Sequence, residues 1–134
     1  MSIAYRVENE FYVLPTETQE LLLNNEFRAE LAKVFEKMVA SGPVTCDRLR
    51  KLNVVVEDLL RGLLAPEDLD KLRSVDATER VDLWLLVSSG NPDVDVHGFI
   101  TYLEILLTHA AHFGLPLPAL QSLPQKILNS NLLS

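Results

Sequence analysis

The chain has 134 residues, 12 basic and 19 acidic side chains, a net charge of −7 and 48% apolar residues. That length suits one domain with a real core, and the apolar share excludes wholesale disorder. One cysteine, Cys46, excludes an internal disulfide framework or a multi-cysteine zinc site, and the negative balance argues against a nucleic-acid binder that relies on bulk electrostatics.

The N-terminus carries no apolar run of signal-peptide length and meets acidic residues early. The most apolar stretch, 99–113, holds Glu104, His109 and His112 and is shorter than the roughly 20 residues that cross a bilayer. A cytoplasmic protein with no membrane span is the expectation. Residues 1–134 read as a single domain in three parts: an extended segment over 3–14, a helical body over 16–114 and an apolar C-terminal segment over 115–134.

In the first part Ile3, Tyr5, Val7, Phe11 and Val13 alternate with Arg6, Glu8 and Glu10. This period of two predicts a strand, or a hairpin about Asn9. Helical spacing begins after Pro15, where Thr16 and Gln19 have the separation of a capping box. Phe27, Leu31, Val34, Phe35 and Met38 then mark an amphipathic helix that Ser41-Gly42-Pro43 stops, with Asn24-Asn25 as a break near its start.

Two short helices are predicted next, over 45–52 and 54–64, and Pro66 opens another that buries Leu69 and Leu72. Asp76 and Glu79 resemble a second capped start, for a helix over 77–88. There Val81, Leu83, Trp84, Leu85, Leu86 and Val87 cover most of the circumference, which predicts a central helix. Asp93 or Asp95 can cap a long helix running to Phe113, with Gly114 as its stop. In the last segment Pro116, Pro118 and Pro124 argue against a long helix, though 124–129 could form a short one. The fold expected is all-α: a compact orthogonal bundle of five to seven helices, a short N-terminal strand or hairpin, and a Pro/Leu-rich C-terminal segment packed on the body or a partner.

Candidate sites are few. On the helix 96–113, His97, Thr101, Glu104, Thr108 and His112 fall in a stripe about 80° wide at 100° per residue. Such a line could face a ligand pocket, or it could be a narrow solvent strip. His109 and His112 are three apart, but His97 lies about 22 Å of helix from His112, and two histidines without a third ligand make a weak zinc site. Cys46 has no histidine assigned to activate it, and no phosphate loop, nucleophile elbow or zinc-protease pattern occurs. No catalytic residue, metal or cofactor is therefore assigned, and an enzyme is not expected. Residues 44–64 have the outline of a helix-turn-helix with Arg48, Arg50 and Lys51 nearby. Its second helix, however, opens Val55-Val56-Glu57-Asp58, which would repel phosphates, so nucleic acid is an unlikely partner.

Charge is unevenly placed, since residues 96–134 contain only Glu104 and Lys126 among Asp, Glu, Lys and Arg. So much uncharged, leucine-rich chain predicts a protein-binding role, as adaptor, regulator, inhibitor or assembly accessory, and a homodimer is the commonest form of that. The candidate surface comprises Phe99, Tyr102, Leu103, Leu106, Leu107 and Phe113 of the long helix, with Leu117, Leu120, Ile127 and Leu128 of the final segment. Two alternatives from other classes are a small-molecule or catalytic pocket beside the polar stripe and a DNA-binding regulator using 44–64.

Overall fold

The computed structural model describes residues 4–7, 10–13, 15–73 and 81–130, and seven helices and four short strands lie among them. The fold is an all-α bundle with a short hairpin at its start. Strands β1 (Ala4–Val7) and β2 (Glu10–Val13) pair antiparallel with Tyr5 opposite Tyr12 and Val7 opposite Glu10. The turn expected about Asn9 lies outside the described residues.

Helix α1 (Thr16–Leu23) starts one residue differently from the capping-box expectation: Pro15 takes the cap position and its carbonyl accepts from Gln19 N, leaving Thr16 as the first helical residue. Proline fixes φ near −65°, which suits the entry to a helix without a side-chain cap. Asn24 then breaks the chain as expected, and its Oδ1 accepts from Phe27 N at 3.0 Å to cap α2 (Asn25–Val39). That helix buries Phe27, Leu31, Val34 and Met38.

Strand β3 (Val44–Thr45) leads into α3 (Cys46–Leu60), a single helix where two were expected. The intended turn at 52–54 is helical because its neighbours are core residues: Leu52, Val55 and Val56 are buried, and the buried Asn53 donates to Glu57 in the next turn of the same helix. Burial here overrides the low helix propensity of a β-branched run. The outline of a helix-turn-helix over 44–64 disappears with the turn. Helix α4 (Pro66–Arg73) has Pro66 in its first turn and buries Leu69 and Leu72, both as expected, and Arg73 Nε reaches Glu57 of α3 at 3.0 Å.

Helix α5 (Val81–Ser88) is followed by strand β4 (Asp93–Val94), which pairs antiparallel with β3, Val44 opposite Val94 and Thr45 opposite Asp93. The Asp76 and Glu79 start predicted for α5 lies outside the described residues. Helix α6 (Val96–His112) is capped by Asp95, whose Oδ1 accepts from Gly98 N at 2.8 Å. Gly114, at φ 109°, turns the chain out of α6, as the stop signal predicted.

The prolines do not prevent a helix in the final segment. Helix α7 (Leu117–Leu128) is 12 residues long, with Pro118 in its first turn and Pro124 inside it. An interior proline removes the bond to the carbonyl four residues back and costs about 3 kcal/mol. Burial of Leu120, Leu123, Pro124 and Ile127 against the body offsets that loss at roughly 1.5–3 kcal/mol per fully buried large side chain. Helix α6 runs through the centre of the bundle against α2, α5 and α7, and α7 lies across α2 and α3. The Phe35 and Phe99 rings, 5.4 Å apart between centroids, join α2 to α6.

Gly98 sets the distance between α5 and α6. A Cβ at that position would lie 1.8 Å from the Val87 carbonyl oxygen, a backbone atom that cannot rotate away. Gly98→Ala should therefore push the two helices apart and cost about 3 kcal/mol, at the upper end of overpacking penalties. Urea unfolding monitored by circular dichroism measures it; a change under about 0.5 kcal/mol would mean that α5 is free to shift.

Candidate functional site

The two helix–strand–helix units, α2–β3–α3 and α5–β4–α6, meet at β3 and β4, and each connecting loop is closed by a different device. In the first, the Arg48 guanidinium one turn into α3 reaches back over the loop. Its Nη1 donates to the Gly42 carbonyl at 2.7 Å and the Pro43 carbonyl at 3.3 Å, and its Nη2 donates to Ser41 Oγ at 2.8 Å. In the second, Gly98 lets the Val87 carbonyl close down on the first turn of α6.

These loops do not suit a hard cation. Calcium-holding helix–loop–helix units draw carboxylate and carbonyl oxygens from a loop of about twelve residues, ending on a bidentate Glu in the second helix. The stretch 40–45 contains no carboxylate, and a fixed guanidinium already sits over its oxygens. In 89–95 the acids are Asp93 and Asp95, and Asp95 is the cap of α6. Among the described residues, no three His, Cys, Asp or Glu side chains come together. His109 is buried with Nδ1 2.7 Å from the Ile105 carbonyl, whereas His112 is exposed and edge-on to the Phe113 ring at 5.6 Å. The pair that shares a helix face does not share an environment.

The polar stripe of α6 is divided by what covers it. His97 and His112, at its ends, are exposed, and Thr101 is half-buried with its hydroxyl donating to the His97 carbonyl at 2.9 Å. Glu104, at the middle, forms an ion pair with Arg28 of α2. Thr108 is completely buried, and its Oγ1 finds no hydrogen-bond partner among the described residues. The stripe is thus a seam between α6 and α2 in its centre and solvent face at its ends.

The apolar surface predicted on α6 and the final segment requires correction. Phe99, Tyr102, Leu103, Leu106, Leu107, Leu120 and Ile127 are core residues, none more than 2% exposed, and only Phe113, Leu117 and Leu128 are half-buried. The cause is α7, which folds back as a helix and covers, together with α2, the apolar side of α6. Those seven residues are consumed within one chain and present no docking face.

Exposed apolar surface lies instead on α5, which was expected to be central. At 100° per residue, Val81, Leu85, Asp82 and Leu86 fill one continuous arc of about 140°. Val81 is 75% exposed, Leu85 53% and Leu86 61%. Val87 is buried on the opposite side, Ser88 is buried next to the Val81 edge of the arc, and Leu83 and Trp84 are half-buried against the core. Apolar residues all around a helix normally signify burial on all sides; among the described elements, α6 and β4 are the main ones packed against it. The available sequence cue was Asp82, whose place within the apolar run marks the outward arc.

Comparison with known proteins returns no matching family model, no matching curated protein and no matching solved structure.

Two experiments test the geometry. Arg48→Ala should destabilise by about 1.5–3 kcal/mol, the usual worth of hydrogen bonds from a charged group, with Arg48→Lys recovering only part because one ammonium cannot span three acceptors. A double-mutant cycle on Arg28→Ala and Glu104→Ala should return a coupling of about 1–2 kcal/mol, above the value of an exposed pair because both groups are partly covered. A coupling near zero would place the Glu104 carboxylate in solvent.

Proposed function

We propose that the chain is a non-enzymatic helical module that binds another protein, in the manner of an adaptor, regulator, inhibitor or assembly accessory. The observation that supports this best is the outer arc of α5, where Val81, Leu85 and Leu86 stand out in solvent on a helix whose inner side is locked to α6. A surface helix gains nothing in folding from aliphatic side chains on its outer face, and contiguous exposed aliphatics favour a contact with another molecule. The frame behind them is rigid: α5 rests backbone to backbone on α6, and the paired loops hold α6 to α3.

The partner surface moves accordingly from α6 and the C-terminal segment to α5. Homodimerisation through α6 or α7 loses its basis, because those apolar faces are already filled. No helix among the described residues is long and apolar enough to cross a membrane, and the single cysteine suits a reducing compartment, so the cytoplasm is the proposed location.

The test is affinity capture from the native host with the wild-type chain and with Leu85→Asp/Leu86→Asp. The double variant should keep its melting temperature within about 3 °C, since neither side chain is buried. It should lose the proteins that the wild type retains specifically. Equal retention by both chains would remove α5 from any role in binding.

A further inference from the structure

We infer that α7 is a displaceable plug: it fills a groove of the body shaped for an amphipathic helix, and a helix of another protein with the same aliphatic spacing takes its seat when α7 swings out. This is a second docking site, separate from the outer arc of α5 and closed while α7 is seated.

Helix α7 sits as a bound helix would. Its buried side chains are Leu120, Leu123, Pro124 and Ile127, at positions i, i+3, i+4 and i+7, the anchor spacing of a helix laid into a groove. At 100° per residue they fill an arc of about 100°. Pro118, Gln121, Gln125 and Lys126, on the other side, are exposed. The bed is chiefly α2 and α3, with contributions from α1 and α6.

Such spacing alone describes any helix on a core. What sets α7 apart is how little its own chain supports it. Pro116 opens it without a side-chain cap, Pro118 occupies its first turn, and Pro124 leaves the Leu120 carbonyl without its helical donor. Lys126, its one ionisable residue, is exposed. Apolar contact therefore seats the helix, helped at its end by Lys37 Nζ, which donates to the Leu128 carbonyl at 2.5 Å. A helix that is poor alone and good only against its bed opens at a lower free energy than the elements around it.

The joint suits that motion. The chain is pinned as far as Leu115, which is buried with its N–H donating to the Ala110 carbonyl at 3.0 Å, and the exposed Pro116 follows. No described helix or strand comes after α7, so its release unthreads none of them. Release uncovers an apolar bed that water disfavours, and the open state becomes dominant only when another helix fills it.

The test uses the full-length chain. Hydrogen exchange followed by mass spectrometry should show the amides of α7 exchanging at least about tenfold faster than the core amides of α2 and α6, through an opening of their own. A fluorophore-labelled synthetic peptide of residues 115–130 supplies the competing helix. It should bind at one site per chain, at a rate that levels off as peptide is added, because α7 must leave first. Ile127→Ala in the protein should raise peptide affinity at least about tenfold, since it loosens α7 and leaves the peptide's own anchor intact. Ile127→Val removes a single carbon, should raise affinity about threefold, and serves if the alanine variant does not fold. The peptide carrying Leu120→Asp and Leu123→Asp should not bind. Leu85→Asp/Leu86→Asp in the protein should leave peptide binding unchanged, which separates this groove from α5.

Peptide binding that is absent, or that neither Ile127 variant strengthens, would overturn the inference, as would α7 amides that exchange only together with those of α6. A dimer that forms with rising protein concentration and dissociates in excess peptide would make a second copy of this chain the occupant and overturn the assignment to another protein.

Discussion

The antiparallel pairing of Val44 with Val94 is the contact on which the rest of the architecture depends. It involves two residues on each side, yet it joins loops nearly fifty positions apart and thereby fixes how α2–α3 and α5–α6 face each other. Both valines are buried, so the pairing is also part of the core. Two strands of this length have no stability of their own. They persist because each is anchored at the helix that follows, by Thr45 Oγ1 accepting from Arg48 N and by Asp95 Oδ1 accepting from Gly98 N. The loops behind them are closed by opposite means: a guanidinium added over three oxygens on one side, and a side chain omitted at Gly98 on the other.

From that junction the helices are placed in order of what they can bury. Helix α6 receives the largest apolar load and occupies the centre, where Phe99, Leu103, Leu106 and Leu107 meet α2 and α7. Its one strong polar group, Glu104, is met by Arg28, so the carboxylate is not left uncompensated at the helix interface. The near absence of charge after Asp95 then has a simple cause. Helices α6 and α7 cover each other and the body, and most of their side chains contact protein, where a charge would need a partner of its own.

The elements legible in the chain were those whose signals are local. Asn24 as a break, Pro66 as a helix start, Gly114 as a stop and the period of two behind the strands at 4–7 and 10–13 each act through their own backbone, and each was read correctly. The errors share another origin. Asn53 between Leu52 and Val54 looks like a turn until Val55 and Val56 are seen to be buried, and Pro124 looks like a helix breaker until its own burial is counted. In both places tertiary packing outweighs a local preference of a few kcal/mol at most. The candidate surface failed for the same reason in reverse. Apolar residues on α6 were visible, but whether α7 or a partner covers them depends on a fold-back that no local pattern announces.

Helix α5 shows how a single backbone contact can leave a surface exposed. Its sequence is apolar around almost the whole circumference, so rotation about its axis would bury one set of aliphatics as well as another. Gly98 removes that freedom. With the Val87 carbonyl seated where a Cβ would otherwise be, the helix is held at one rotation, which turns Val87 and Ser88 inward and Val81, Leu85 and Leu86 outward. Polar residues at the three outward positions would preserve every inward contact and improve solubility. Among the described residues, folding gives no reason for aliphatics there, and the constraint that holds α5 in place also holds that face in a fixed orientation.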